Sequence, residues 1–84
     1  METKQARINA AFAEIIRNIC FRNLIGPDVF INGIDQPKEI ASKLYYGEHE
    51  WLGFVTFRQL DRLLKTTPGH IEQVYRNVVR KHTC

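Results

Sequence analysis

Apolar residues recur at intervals of three and four positions in two long stretches of the chain, which is the spacing that places them on one face of an α-helix. The first stretch predicts a helix over residues 3–20, and the second predicts a helix from Pro68 to Lys81. The stripe of the first comprises Ile8, Phe12, Ile15, Ile16 and Ile19. The stripe of the second comprises Ile71, Val74, Tyr75, Val78 and Val79.

The middle of the chain, between the two long predicted helices, contains shorter patterns that predict secondary structure. Gly26 and Pro27 interrupt the helical pattern, and the run 29–31 followed by Asn32-Gly33 is typical of a short strand ending in a tight turn. Asp35 as a cap and Pro37 near the start predict a short helix that ends by Gly47. A second short strand near residues 54–55 is expected to pair with the first.

Thr56 and Gln59 form the pattern of a capping box, which predicts a helix from Phe57 to residue 66. Thr67 as a cap and Pro68 at the first helical position predict that the last helix begins directly afterwards. We therefore expect a mainly α fold of about four helices, whose last two form a helix-turn-helix. An α+β fold with a two-stranded ribbon is the alternative.

The length of 84 residues fits one small domain, residues 1–84. A chain of this size buries a limited core, so oligomerisation would stabilise it. The apolar face of the first helix is expected to cover either the rest of the domain or a second copy of the chain. We therefore expect a homodimer.

Charge is unevenly distributed, although the net charge is only +3. Residues 1–55 hold six basic and seven acidic residues, whereas residues 56–84 hold six basic and two acidic residues. A basic C-terminal third favours encounter with a polyanion or an acidic partner.

In a helix-turn-helix, the second helix enters the major groove, where Arg, Gln and Asn read base edges. Gln73, Arg76 and Asn77 are residues of these types on the expected outer face of the last helix, and His70 also faces outward. Thr67, together with the amides that begin that helix, is a candidate phosphate site. The candidate phosphate-contacting cations are Arg58, Arg62, Lys65, Arg80 and Lys81.

The segment from Phe54 to Ile71, with its Val-Thr-Phe entry, short first helix and Pro-Gly turn, resembles the helix-turn-helix of antirepressor-type and related small phage and bacterial regulators. This segment of 18 residues carries the motifs, and the resemblance as a whole covers about 25 of the 84 residues. Two positions depart from the common pattern: Lys65 stands where a glycine often closes the first helix, and Asp61 where a small residue is usual. The resemblance implies a small transcriptional regulator of a phage or other mobile element, with duplex DNA as its partner.

A protein-binding function is the alternative, in the form of a phage- or plasmid-encoded inhibitor or adaptor that binds a larger, host protein complex. Its evidence is a cluster of aromatic and acidic residues, a composition typical of binding hot spots. Packing of Tyr45 and Trp51 in the core is the competing interpretation. The cluster comprises Tyr45, Tyr46, Glu48, Glu50 and Trp51.

Catalytic and metal sites find little support in the sequence. His49, His70 and His82 lie in separate predicted elements, and no zinc, nucleophile or phosphate-loop motif occurs. We expect no enzyme activity, no metal and no cofactor. Cys20 is expected to be a small core residue, and the absence of a signal peptide or an apolar run of membrane-spanning length predicts a cytoplasmic protein without membrane partners.

Overall fold

The computed structural model describes residues 3–48 and 54–83, with the backbone alone for residues 54 and 55. This part of the chain is helical and contains no strand, so the expectation of a mainly α fold is confirmed. It forms five helices rather than about four. They are α1 (Lys4–Arg22), α2 (Pro27–Gly33), α3 (Lys38–Tyr46), α4 (Phe54–Leu63) and α5 (His70–Thr83).

The expected two-stranded ribbon is wrong, because its first strand lies inside α2 and its second opens α4. Pro27 stands at the start of α2, where its fixed φ suits a helix, and the Phe30 amide donates to the Gly26 carbonyl over 3.0 Å. A short apolar run is compatible with either a strand or a helix. Here Phe30 and Ile34, four positions apart, are both buried, and the Ile34 amide donates to the Phe30 carbonyl over 3.3 Å, as in a helix.

Two expected caps are also corrected. Thr56 lies within α4, which begins at Phe54, so the capping box does not start that helix. The residue before α3 is Pro37, without a side-chain cap, and Asp35 does not serve as one. Thr3, in contrast, caps α1 through its hydroxyl, which accepts from the Ala6 amide over 3.1 Å. Helix α1 ends at Arg22, two residues beyond the predicted end.

Helix α1 is the centre of the packing, because it lies against both α3 and α5. Helix α2 packs on α3, and α4 packs on α5. The ring of Phe12 on α1 lies 5.1 Å from that of Tyr75 and 6.4 Å from that of Phe57, so one aromatic cluster joins α1, α4 and α5. Cys20 is a buried free thiol, as expected.

The end of α3 approaches α1 closely. Gly47 ends α3 in a left-handed conformation with φ of +82°, and a Cβ atom at this position would lie 3.1 Å from the Ala10 Cα. Only glycine satisfies both demands without strain. None of the helices within the described residues has the length and apolarity needed to cross a lipid bilayer.

Candidate nucleic-acid interface

Asp61 joins α4 to the start of α5. Its side chain is only 6% exposed, and one carboxylate oxygen, Oδ1, accepts from the Ile71 amide over 3.0 Å and from the Thr66 hydroxyl over 2.8 Å. The other oxygen, Oδ2, accepts from the Gly69 amide over 2.9 Å. A carboxylate in this place satisfies amides that the helix itself leaves unpaired and interacts favourably with the helix dipole. Asp61 is therefore the cap of α5, contributed by the preceding helix.

Lys65 lies in the turn between α4 and α5. Lys65 has a φ of +58°, the Thr66 amide donates to the Asp61 carbonyl over 2.9 Å, and the Lys65 amide donates to the Arg62 carbonyl over 3.4 Å. This is the hydrogen-bond pattern with which helices commonly end, and glycine is its usual left-handed residue. Lys65 thus adopts the left-handed conformation that is usual for glycine, and the Asp61 carboxylate bonds to the turn.

The last helix begins at His70, two residues later than predicted, and Thr67 is not its side-chain cap. Thr67 contributes only its carbonyl, which accepts from the His70 amide over 3.0 Å. The amides of Gly69, His70 and Ile71 are all bonded within the chain, two of them to the Asp61 carboxylate. The expected phosphate site on free amides here is therefore wrong, because an anion would meet occupied donors and a negative charge.

The outer face of α5 presents polar and basic side chains. Gln73, Arg76 and Arg80 share one side of the helix at positions i, i+3 and i+7, and Asn77 adjoins them. All ten side chains predicted to contact DNA are exposed. They are Arg58, Arg62, Lys65, Thr67, His70, Gln73, Arg76, Asn77, Arg80 and Lys81. Exposure alone does not indicate DNA binding, because any amphipathic helix pair exposes its polar side chains.

All three candidate base-contacting residues have partners on the same helix. Arg76 Nη2 lies 3.3 Å from Glu72 Oε1, and Gln73 Nε2 donates to Asn77 Oδ1 over 3.1 Å. Exposed pairs of this kind contribute about 0.3–0.5 kcal/mol each. Two hydrogen bonds to a base edge contribute more free energy than such a pair. DNA binding can therefore break these pairs and redirect the side chains to the bases.

Two shallow depressions flank Arg62 on α4. One, of about 290 Å³, is lined by Arg58, Asp61, Arg62, Thr66 and Pro68. The other, of about 280 Å³, lies between α2 and α4. Since both oxygens of Asp61 accept bonds from the turn and from α5, the arginines supply the charge that this outer surface offers to a ligand.

The residues of the protein-binding alternative fall into three groups. Tyr45 is 8% exposed, with its ring 5.2 Å from that of Phe30, and burial raises the pKa of its hydroxyl. It is a core residue, and its inclusion in a binding surface is corrected. Tyr46 and Glu48 are exposed. Glu50 and Trp51 lie outside the described residues.

Asp61 and Glu72 are the residues of this region that sequence reasoning missed. Asp61 lies between Leu60 and Leu64 on the buried stripe of α4, and a charged residue in that register was the available signal. Among the described residues, no group of three or more histidine, cysteine or acidic side chains is arranged to hold a metal ion. No family model matches the chain, and neither a curated protein nor a solved structure matches it.

Proposed function

We propose that the protein is a small DNA-binding regulator of helix-turn-helix type, with α5 in the major groove of duplex DNA. The observation that carries this proposal is the rigid pairing of α4 and α5. Because Asp61 bonds to the turn and to α5, the outer face of α5 has a fixed orientation relative to the arginines of α4. Precise placement of one helix against the backbone contacts of the other is what groove recognition requires.

The two helices have different roles in this proposal. Gln73, Arg76 and Asn77 contact base edges, since their side chains offer paired hydrogen bonds. Cations on α4, at the turn and at the end of α5 contact phosphates, which positions the protein without specifying sequence. These cations are Arg58, Arg62, Lys65, Arg80 and Lys81.

The acidic residues of this region support the assignment. Residues 56–84 contain only two of them. Asp61 is buried and bonded to amides, whereas Glu72 is paired with Arg76. The positive surplus of the segment therefore lies on the exposed surface, where it attracts a phosphate backbone.

The proposal extends to the wider setting. We propose a cytoplasmic, non-catalytic transcriptional regulator from a phage or another mobile element, which acts as a homodimer. The buried free thiol of Cys20 supports a reducing compartment. The resemblance of residues 54–71 to phage and bacterial regulators supports the setting.

Fluorescence anisotropy with a labelled mixed-sequence duplex tests the proposal. We expect the affinity to fall steeply as the salt concentration rises, because phosphate contacts release counterions. The variant Arg76→Gln should weaken binding more than Arg22→Gln, which removes the same charge from the exposed end of α1. The absence of binding at low salt, or equal losses for the two variants, would contradict the proposed docking face.

A protein-binding function is the second candidate, favoured by exposed apolar residues at the corner between α1 and α2. Phe21 is 83% exposed and Leu24 is 93% exposed, and Leu24 has a φ of +58°. Exposed apolar groups are typical of interaction surfaces. A protein that fails to bind the duplex at any salt concentration would favour this candidate, with Phe21, Leu24 and Tyr46 as the residues to substitute.

A further inference from the structure

A groove of about 420 Å³ runs between α1 and α5, on the flank of the proposed DNA-reading face. Its floor is aliphatic: Val78 is buried, and Ala11, Ile15 and Val74 are each partly exposed. Aliphatic side chains left partly exposed between two packed helices gain stability when a further apolar surface covers them. The groove lining comprises Ala11, Glu14, Ile15, Val74, Asn77, Val78, Lys81 and His82.

The two edges of the groove carry opposite charge. Glu14 lies on the α1 edge, and Lys81 lies on the α5 edge with His82 beside it. Both Glu14 and Lys81 are exposed, and within the described residues neither forms an ion pair. An apolar strip with an acid on one edge and a base on the other is complementary to itself, because a two-fold rotation exchanges the edges.

We propose that this groove is the interface of a homodimer, with a second copy of the chain as its occupant. The two-fold axis runs along the groove, so that α1 of one copy faces α5 of the other. Glu14 then lies opposite Lys81 of the second copy, and the pair occurs twice. An axis across the groove would instead place α1 against α1 and bring like charges together, so the charges select the first arrangement.

The dimensions of the groove predict a weak dimer. Helix α5 has 14 residues and is about 21 Å long at 1.5 Å per residue. Two adjacent helices present a strip about 20 Å wide, hence roughly 400 Å² per copy, against about 800 Å² in a standard stable interface. We therefore expect association that depends on protein concentration. Of the residues proposed to contact DNA, Gln73, Arg76 and Arg80 do not line the groove, whereas Asn77 and Lys81 do. In the dimer Asn77 and Lys81 belong to the interface, and Gln73, Arg76 and Arg80 carry the DNA contact of α5.

Sedimentation equilibrium of the full chain, from about 1 μM to about 1 mM, tests this proposal on the concentration scale of weak complexes. Wild type should pass from monomer to dimer. Ala11→Arg places a long charged side chain on the groove floor and should remain monomeric. Ala6→Arg makes the same change at an exposed position of α1 outside the groove lining and should dimerise like wild type.

Charge exchange provides a second test that does not alter the groove floor. Glu14→Lys and Lys81→Glu should each weaken the dimer, by roughly threefold to tenfold, because two equivalent pairs are lost at once. The combined variant restores opposite charges and should recover most of the wild-type affinity. A wild-type chain that is monomeric throughout, an Ala11→Arg variant that dimerises normally, or a combined variant no better than the single ones would each overturn the proposal.

Discussion

Replacement of Asp61 by alanine should disconnect α4 from the start of α5. The change removes both carboxylate oxygens and leaves the amides of Gly69 and Ile71 without their acceptor, whereas the hydroxyl of Thr66 keeps the backbone carbonyl of residue 61 at 3.4 Å. Alanine is a good helix former and suits the interior of α4. The expected effect is therefore the loss of the cap rather than the disruption of α4.

The size of the effect follows from the burial of each donor. Ile71 is wholly buried, and an unpaired buried amide is unfavourable by about 1–3 kcal/mol. Gly69 is exposed, so water replaces part of its lost bond, and loss of a helix cap typically destabilises by about 1 kcal/mol. We expect a decrease of about 3 kcal/mol in the free energy of unfolding. This is a large fraction of the roughly 4–13 kcal/mol that is usual for a chain of 84 residues.

Urea unfolding followed by circular dichroism measures this change. The midpoint should fall while the slope m stays constant, and the melting temperature should drop by more than about 10 °C for a domain of this size. Asp35→Ala is the matched control, because it removes an exposed carboxylate that caps no helix, and it should stay within about 0.5 kcal/mol of wild type. If Asp61→Ala were as stable as Asp35→Ala, the cap would not stabilise the fold.

Two further substitutions test the interface and the packing of α3. Glu72→Gln should raise the affinity for duplex DNA about threefold at low salt, because it removes an acid from the proposed face and releases Arg76; unchanged or lower affinity in the anisotropy assay would contradict the assignment of that face. Gly47→Ala should lower the free energy of unfolding by about 2–4 kcal/mol, since it combines a left-handed φ of +82° with a Cβ 3.1 Å from the Ala10 Cα. Gly26→Ala, where a Cβ would meet open space, is its control in thermal denaturation, and equal losses for the two variants would refute the argument.

The long helices α1 and α5 were predictable because each carries a repeated apolar stripe whose period only a helix explains. The short helix α2 was not predicted, because three apolar residues in a row are equally compatible with a strand. In the structure Phe30 and Ile34, four positions apart, are both buried, which is the spacing of a helix, but a single such repeat is a weak sequence signal. A longer helix repeats its apolar pattern over more helical turns, so the sequence distinguishes it from a strand more clearly.

The candidate site was predictable only in part. Exposure of the basic residues on α4 and α5 followed from amphipathicity, but the partners of those residues did not. Asp61 lies eight and ten positions before the two amides that it caps, so no local capping pattern reveals it. The groove between α1 and α5 likewise depends on how two distant segments pack.

The Asp61 cap also bears on how the protein opens. The Asp61 side chain on α4 accepts hydrogen bonds from two amides at the start of α5, so unfolding of α4 removes the acceptor of both amides. Local opening in proteins proceeds in cooperative units, and amide hydrogen exchange measures their free energies. The amides of Gly69 and Ile71 should therefore exchange with the same free energy as the amides of α4. The start of α5 would then open together with α4 as one cooperative unit.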